Sequence, residues 1–293
     1  MQIIDGKLVA DKLKKQLAAE SLKMLTDTGH TPHLAAVLVG DDPASQTYVG
    51  GKEKACKEVG FISTVYRMSE KTSEADVLKT IDFLNNDDEI DGFIVQLPLP
   101  KHIDGQKVIA AISPSKDVDG FHPVNLGRML LNVPSYLPAT PYGIIELLKH
   151  YKIETEGKAC VIVGRSNIVG TPLSVLLSRN ATPGNCTVTL CHSKTKNLAE
   201  ITRQADILVA AVGKMEMISA DMVKQGAVVI DVGIHRIEDP STKSGFRLKG
   251  DVKYDEVAPK CSYITPVPGG VGPMTITCLL QNTLSAAKKE FFK

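Results

Sequence analysis

Tyr48 and Lys52 stand four residues apart in residues 44–59, whose apolar spacing predicts a helix. That spacing puts a phenol ring and an ammonium on one helix face, within contact range. An aromatic shelf beside a lysine suits a flat substrate on which charge develops. From spacing alone the plainer reading is stronger: a lysine trailing over the surface beside a half-buried tyrosine. Gln96 sits at the carboxyl end of a run, residues 92–97, that reads as a strand leading into Pro98-Leu99-Pro100. In open α/β sheets the carboxyl end of a strand is where ligands bind. An amide there is either a satisfied core glutamine or a group that orients a ligand or a lysine. Asp117 and Asp119 flank Val118 ahead of Gly120. In extended backbone they share a face, and one could accept hydrogen bonds from an amino-heterocycle. The local pattern fits an Asx turn better. The seven histidines are scattered and accompany no G-x-S-x-G turn, so acyl transfer has no support.

A second chemical signal lies at residues 159–172, ACVIVGRSNIVGTP. An apolar run suited to a buried strand stops at Gly164. A polar triplet, Arg165-Ser166-Asn167, follows, and helical spacing starts near Val169. Strand, glycine turn and helix N-terminus make an anion site, commonly for a pyrophosphate. The dinucleotide fingerprint has three glycines; here Gly164 and Gly170 remain and Ser166 takes the middle place. The next strand, residues 187–191, ends in His192-Ser193-Lys194-Thr195 rather than in the acid that binds an NAD ribose. Ser193, Lys194 and Arg165 together suit a 2′-phosphate, which favours NADP; a solvated polar turn is the alternative.

These residues need a scaffold. The chain has 293 residues, 43% hydrophobic and 23% charged, enough for two cores of ordinary domain size. A net charge of +1 gives no basic excess for nucleic acid, and no apolar run reaches membrane-span length. The first residues lack a signal peptide's apolar stretch, so a cytoplasmic protein without a leader is expected. None of the six cysteines forms a C-x-x-C pair, which predicts reduced, mostly buried thiols and no metal site.

An amphipathic helix is expected over residues 6–28, where Leu8, Leu13, Leu17, Leu22 and Leu25 recur at roughly helical spacing. Strands at 34–39, 61–67 and 92–97 alternate with helices at 44–59, 73–85 and 104–112. Residues 113–141 break into turns. A second alternating series has strands at 160–163, 187–191, 207–210 and 227–231, with Asn197 capping a helix. Residues 178–186 and 237–247 read as polar loop insertions without a chemical signal. Residues 264–275 are too rich in Gly and Pro for a regular element, and a long helix follows from about 275 to 291. The predicted fold is α/β. It has two α/β domains with parallel sheets, the second a Rossmann-type dinucleotide-binding domain, and a cleft between them. The expected boundaries are 1–140 plus 275–293 for the first and 141–274 for the second.

The motifs YVGGK (48–52), VQLPLP (95–100), KDVDGF (116–121), VGRSNIVGTP (163–172), CHSKT (191–195) and PVPGGVGPMT (266–275) stand in this order across essentially the whole chain. Together they resemble the bifunctional methylenetetrahydrofolate dehydrogenase/methenyltetrahydrofolate cyclohydrolase family. The resemblance implies NADP-dependent oxidation of 5,10-methylenetetrahydrofolate and hydrolysis of the 5,10-methenyl product to 10-formyltetrahydrofolate in one cleft. It implies that Lys52 is the main catalytic acid/base, that Gln96 tunes it, that Tyr48 stacks on the folate and that Asp119 holds the pterin. Leu97 and Pro98 would line the folate with Gln96, and Gly269, Gly270 and Pro273 would face it. Gly164, Arg165, Ser166, Ser193, Ile234 and Thr275 would meet the NADP. The first domain would then bind folate and the second NADP, in a homodimer. Pro138-Ala139-Thr140-Pro141 departs from a P-C-T-P found in many relatives, with no catalytic consequence. With no long extension after residue 293, no fused formate–tetrahydrofolate ligase is expected. Two other readings stand beside this one: an NADP-dependent dehydrogenase of another small cyclic substrate, of shikimate type, and a non-catalytic dinucleotide-binding module.

Overall fold

A computed structural model describes residues 1–242 and 245–292. The chain forms two compact units, one of Met1–Ala10 with Thr140–Thr275 and one of Asp11–Ala139 with Ile276–Lys293.

The second of these units is built on a three-stranded parallel sheet in the order Ile62–Met68, His33–Val39, Gly92–Val95. The middle strand is apolar and buried from Leu34 onward, as a strand paired on both edges must be. Helix Pro43–Glu58 follows it. The Asp42 carboxylate accepts from Ser45 N at 2.8 Å and Pro43 opens the first turn. Helix Glu74–Asn85, capped by Ser73, buries Val77, Ile81 and Leu84 in a cluster with Val37, Phe93 and Val95. Beyond Gly92–Val95 the segment at Asp117 lies parallel to that strand, and Phe93 N donates to Lys116 O at 2.9 Å.

Three readings of this unit need correction. Residues 113–141 are not all turns, because Pro123–Leu130 is a helix with Pro123 at its start and His122 Nδ1 accepting from Val124 N. Gly127 in its middle hid the pattern. Helix Gly6–Thr28 is where it was expected, but only Leu13 and Leu17 of its leucines lie on the covered side. Leu17 is buried, while Leu8, Leu22 and Leu25 are exposed. The helical period was right, and the partner surface is set by tertiary packing. The last helix, Val271–Ala287, starts four residues early, inside the Gly/Pro-rich stretch. Pro273 is harmless there, since a first-turn N–H has no partner within the helix.

Unit Met1–Ala10 with Thr140–Thr275 contains a six-stranded parallel sheet of Rossmann type. Its order is Gln2–Ile3, Tyr263–Ile264, Val228–Asp231, Ile207–Ala210, Ala159–Val163, Thr187–Cys191. The first ten residues thus sit apart from the 1–140 stretch in which the sequence placed them. Gln2–Ile3 is too short to announce itself, and its partner is some 260 residues away. The stretch 237–247 is not a loop throughout, because His235–Glu238 and Phe246–Lys249 pair as an antiparallel ribbon. Of that stretch, 243 and 244 lie outside the described residues. Asn197 precedes helix Leu198–Thr202 in left-handed backbone (φ 52°) and its side chain makes no cap bond. All six cysteines are buried. Among the described residues no helix is long and apolar enough to cross a membrane.

Asn282, 3% exposed on the last helix, donates from Nδ2 to Val118 O and Leu137 O, each at 2.8 Å. Its loss strands two buried carbonyls, at about 1–3 kcal/mol each. Asn282→Ala should therefore lower the unfolding free energy by about 2–6 kcal/mol in urea at unchanged m value. An unchanged midpoint would mean that water replaces the amide.

Candidate active site

Helix Pro43–Glu58 buries Ser45, Val49, Lys52 and Cys56. These positions recur at helical spacing, so Lys52 is on the covered face rather than trailing over the surface. Its side chain is 9% exposed. Lys52 Nζ donates to Gln96 Oε1 at 3.1 Å. Gln96 is held in turn: its backbone N donates to Val37 O at 2.9 Å and its Nε2 to Leu97 O at 2.7 Å. The glutamine therefore points its only side-chain acceptor at the amine. Burial holds the Lys52 amine below the ordinary lysine range, and the Asp119 carboxylate works against that shift. Asp119 is itself pushed up by burial, with Lys52 opposing. One turn on, burial pushes the Cys56 thiol up to about 12, so it stays protonated at neutral pH.

The two aspartates of KDVDGF part company. Asp117 is 1% exposed and accepts from Asn125 Nδ2 and His122 N, each at 2.8 Å, and from Phe121 N at 3.3 Å. It is the turn-former of the pair. Asp119 is the one whose charge acts on Lys52. Gly120 has φ +73°, and a Cβ there would lie 2.6 Å from Leu137 C. Lys52, Gln96 and Asp119 thus converge beyond the carboxyl ends of one small parallel sheet, the usual place for a ligand in such sheets. Tyr48, one turn before Lys52, is 37% exposed, and burial raises its phenol. Pro98 follows through a cis peptide.

The glycine turn lies in the other unit. Strand Ala159–Val163 has Thr187–Cys191 on one side and Ile207–Ala210 on the other, so the order reverses at Gly164. Such a switch point opens a crevice for a ligand. Gly164 has φ +127°, and a Cβ on it would collide with Ala211 O; one on Gly170 would collide with Gly164 O. Ser166 Oγ accepts from Val169 N at 3.1 Å. Arg165, Ser166, Ser193 and Lys194 are exposed. Close-packed turn backbone with exposed hydroxyls and cations fits a phosphorylated dinucleotide. Ile234 is 41% exposed. Thr275 Oγ1 lies 3.0 Å from Thr140 Oγ1. Gly269, Gly270 and Pro273 belong to this unit too, and Gly269 O accepts from Lys7 N at 3.0 Å. Sequence reasoning passed over a group of buried acids here, Asp231 and Asp251 with His235. Their only signal was the pairing of Asp with Gly in DVG and GDV.

Two family descriptions divide the chain between them. The tetrahydrofolate dehydrogenase/cyclohydrolase catalytic domain matches residues 4–119, and the NAD(P)-binding domain of the same enzymes matches residues 138–291. The chain belongs to the tetrahydrofolate dehydrogenase/cyclohydrolase family. It is 63% identical over 287 residues to the bifunctional protein FolD of Cytophaga hutchinsonii, covering 98% of this chain and 99% of that one. Among solved structures, the bifunctional FolD methylenetetrahydrofolate dehydrogenase/cyclohydrolase of Campylobacter jejuni is 47% identical, with a TM-score of 0.92 and 99% of each chain covered. The Trypanosoma brucei methylenetetrahydrofolate dehydrogenase-cyclohydrolase, complexed with NADP and an inhibitor, is 37% identical, with a TM-score of 0.92 over 98% of this chain and 97% of that one. Membership in this family leaves neither the shikimate-type reading nor the non-catalytic module favoured.

Burial pushes Asp117 up to about 7, against ~3.9 for an aspartate in an unfolded chain. Between those values the folded protein binds more protons than the unfolded chain. The stability linked to this carboxyl is complete below about pH 4 and is lost as pH rises through about 7. Across that range the urea unfolding free energy should fall more in wild type than in Asp117→Asn. Equal slopes would mean that the carboxyl titrates as it does in water.

Proposed function

We propose that this chain oxidises 5,10-methylenetetrahydrofolate with NADP+ and hydrolyses the resulting 5,10-methenyl cation to 10-formyltetrahydrofolate, with Lys52 as the proton-handling group. The supporting observation is a buried amine with lowered proton affinity, 3.1 Å from a fixed amide oxygen, in a member of this family. When bound, NADP+ supplies the acceptor for the hydride leaving the methylene carbon. Arg165, Ser166 and Ser193 would hold its phosphates beside the Gly164 turn, and Ile234 and Thr275 would also meet it.

Hydrolysis needs a proton removed from the attacking water. Lys52 takes it as a free amine, the form that burial favours. As the carbon–nitrogen bond opens, the amine hands a proton to the released ring nitrogen, and the second proton of the water leaves to solvent. Gln96 keeps Nζ aimed and, as a neutral acceptor, does not lock the ammonium as a carboxylate would. Asp119 holds the amino edge of the pterin, Tyr48 gives it a stacking face, and Leu97 and Pro98 bound it. Gly269, Gly270 and Pro273 offer backbone that a flat ligand can approach closely. We read the protein as a cytoplasmic homodimer, which light scattering at micromolar concentration would test by mass.

The two-step assay tests the proposal. Wild type should form the near-ultraviolet band of the methenyl cation with NADP+ and then speed its decay. Lys52→Met should slow the decay by about a hundredfold or more; full retention of hydrolysis removes Lys52 from the role. Arg165→Ala should raise KM for NADP+ about tenfold and that for NAD+ much less. Equal changes would place the guanidinium away from the 2′-phosphate.

A further inference from the structure

The Asp231, Asp251 and His235 cluster has no part in the chemistry above, yet it is among the most densely bonded places in its unit. Asp251 is 0% exposed and Asp231 4%. Asp231 closes strand Val228–Asp231 and accepts from three backbone donors: Gly233 N and Asp251 N at 2.9 Å and Val252 N at 3.0 Å. Asp251 reaches elsewhere. Its Oδ2 accepts from Val212 N at 2.6 Å and Gly213 N at 3.0 Å, and its Oδ1 from His235 Nε2 at 2.8 Å. A Cβ on Gly233 would collide with Asp251, and one on Gly250 with Asp231. The two carboxylates therefore leave room for glycine alone in the backbone that wraps them.

The groups tied by Asp251 flank the dinucleotide turn. Val212 and Gly213 continue from Ala211, whose carbonyl lies directly against Gly164. His235 follows Ile234, and Gly233 precedes it. Ile234 Cδ1 in turn lies 3.4 Å from where a Cβ on Gly272 would sit. One buried carboxylate thus spans two loops at the carboxyl ends of neighbouring strands, Ile207–Ala210 and Val228–Asp231. The first loop runs on from the carbonyl that lies against Gly164, and the second carries Ile234.

We propose that Asp251, with His235 on its outer oxygen, is a positioning residue for the dinucleotide: it fixes the 211–213 turn and the 233–235 segment relative to each other, so that Gly164 and Ile234 present one preformed surface. The inference rests on reading Gly164 and Ile234 as cofactor contacts. A preformed surface spares the ordering of two loops on binding, so its loss appears as weaker affinity for the dinucleotide. A histidine at 23% side-chain exposure can be removed with little harm to the core, whereas the buried carboxylate cannot.

The test measures NADP+ binding by calorimetry, together with both activities, in wild type, His235→Ala, Asp251→Asn and Asp251→Ala. His235→Ala should weaken NADP+ binding about threefold to tenfold. Asp251→Ala should weaken it tenfold or more and raise KM for NADP+ in parallel. Asp251→Asn keeps an oxygen for Val212 and Gly213 and should recover most of the loss. Hydrolysis of supplied methenyltetrahydrofolate, run without dinucleotide, should change less than twofold in each folded variant. Unchanged NADP+ affinity in His235→Ala or in folded Asp251→Ala, an Asp251→Asn variant as weak as Asp251→Ala, or hydrolysis falling in step with binding, would overturn the proposal. If Asp251→Ala fails to fold, His235→Ala decides. Failure of wild type to bind NADP+ or to turn over folate would instead strike the functional reading itself.

Discussion

An ammonium taken out of water gives up hydration that a neutral amide oxygen restores only in part, so the proton on it is held loosely. Lys52 is in that position. It is buried on the inner face of its helix, and the group in hydrogen-bond contact with it is Gln96 rather than a carboxylate. The Asp119 charge restrains the shift without cancelling it. Much else in that unit serves this placement. The strand His33–Val39 fixes the Gln96 backbone, the cap at Asp42 sets the start of the lysine helix, and the Asp117 turn with Asn282 steadies the loop that carries Asp119.

The two units solve a shared problem in similar ways. In each, parallel strands deliver loops to one end of a sheet, and those loops carry the functional groups. Loops have few backbone partners of their own, so buried side-chain acceptors supply them. Asp117 collects the N–H groups of its turn, Asp231 those at 233, 251 and 252, and Asp251 those at 212 and 213. Burying these acids raises Asp117 to about 7 and Asp231 to about 6. That cost is accepted where a loop must hold one shape.

The readable parts of the fold were those with a local cause. Apolar β-branched runs such as 159–163 and 207–210 gave strands, and capped segments such as 73–85 gave helices at nearly their true ends. What escaped depended on distant partners. The Gln2–Ile3 edge strand needs Tyr263, the covered side of helix Gly6–Thr28 needs its tertiary neighbours, and the ribbon strand His235–Glu238 shows only a two-residue alternation that charge disguises. The site follows the same division. Spacing paired Tyr48 with Lys52 but could not say that the lysine is buried. The set of motifs in order, rather than any single one, carried the candidate residues. Asp251 and His235 escaped because their meaning lies in backbone groups that no side-chain pattern records.

The loosely held proton of Lys52 is measured by an NMR titration of the lysine side chains, with the Lys52 signal assigned by its absence in Lys52→Arg. The account predicts a midpoint clearly below that of the exposed lysines of the same protein, near ~10.4. A midpoint at or above theirs would contradict it, since the amine would then be a fixed cation at every pH at which the protein works.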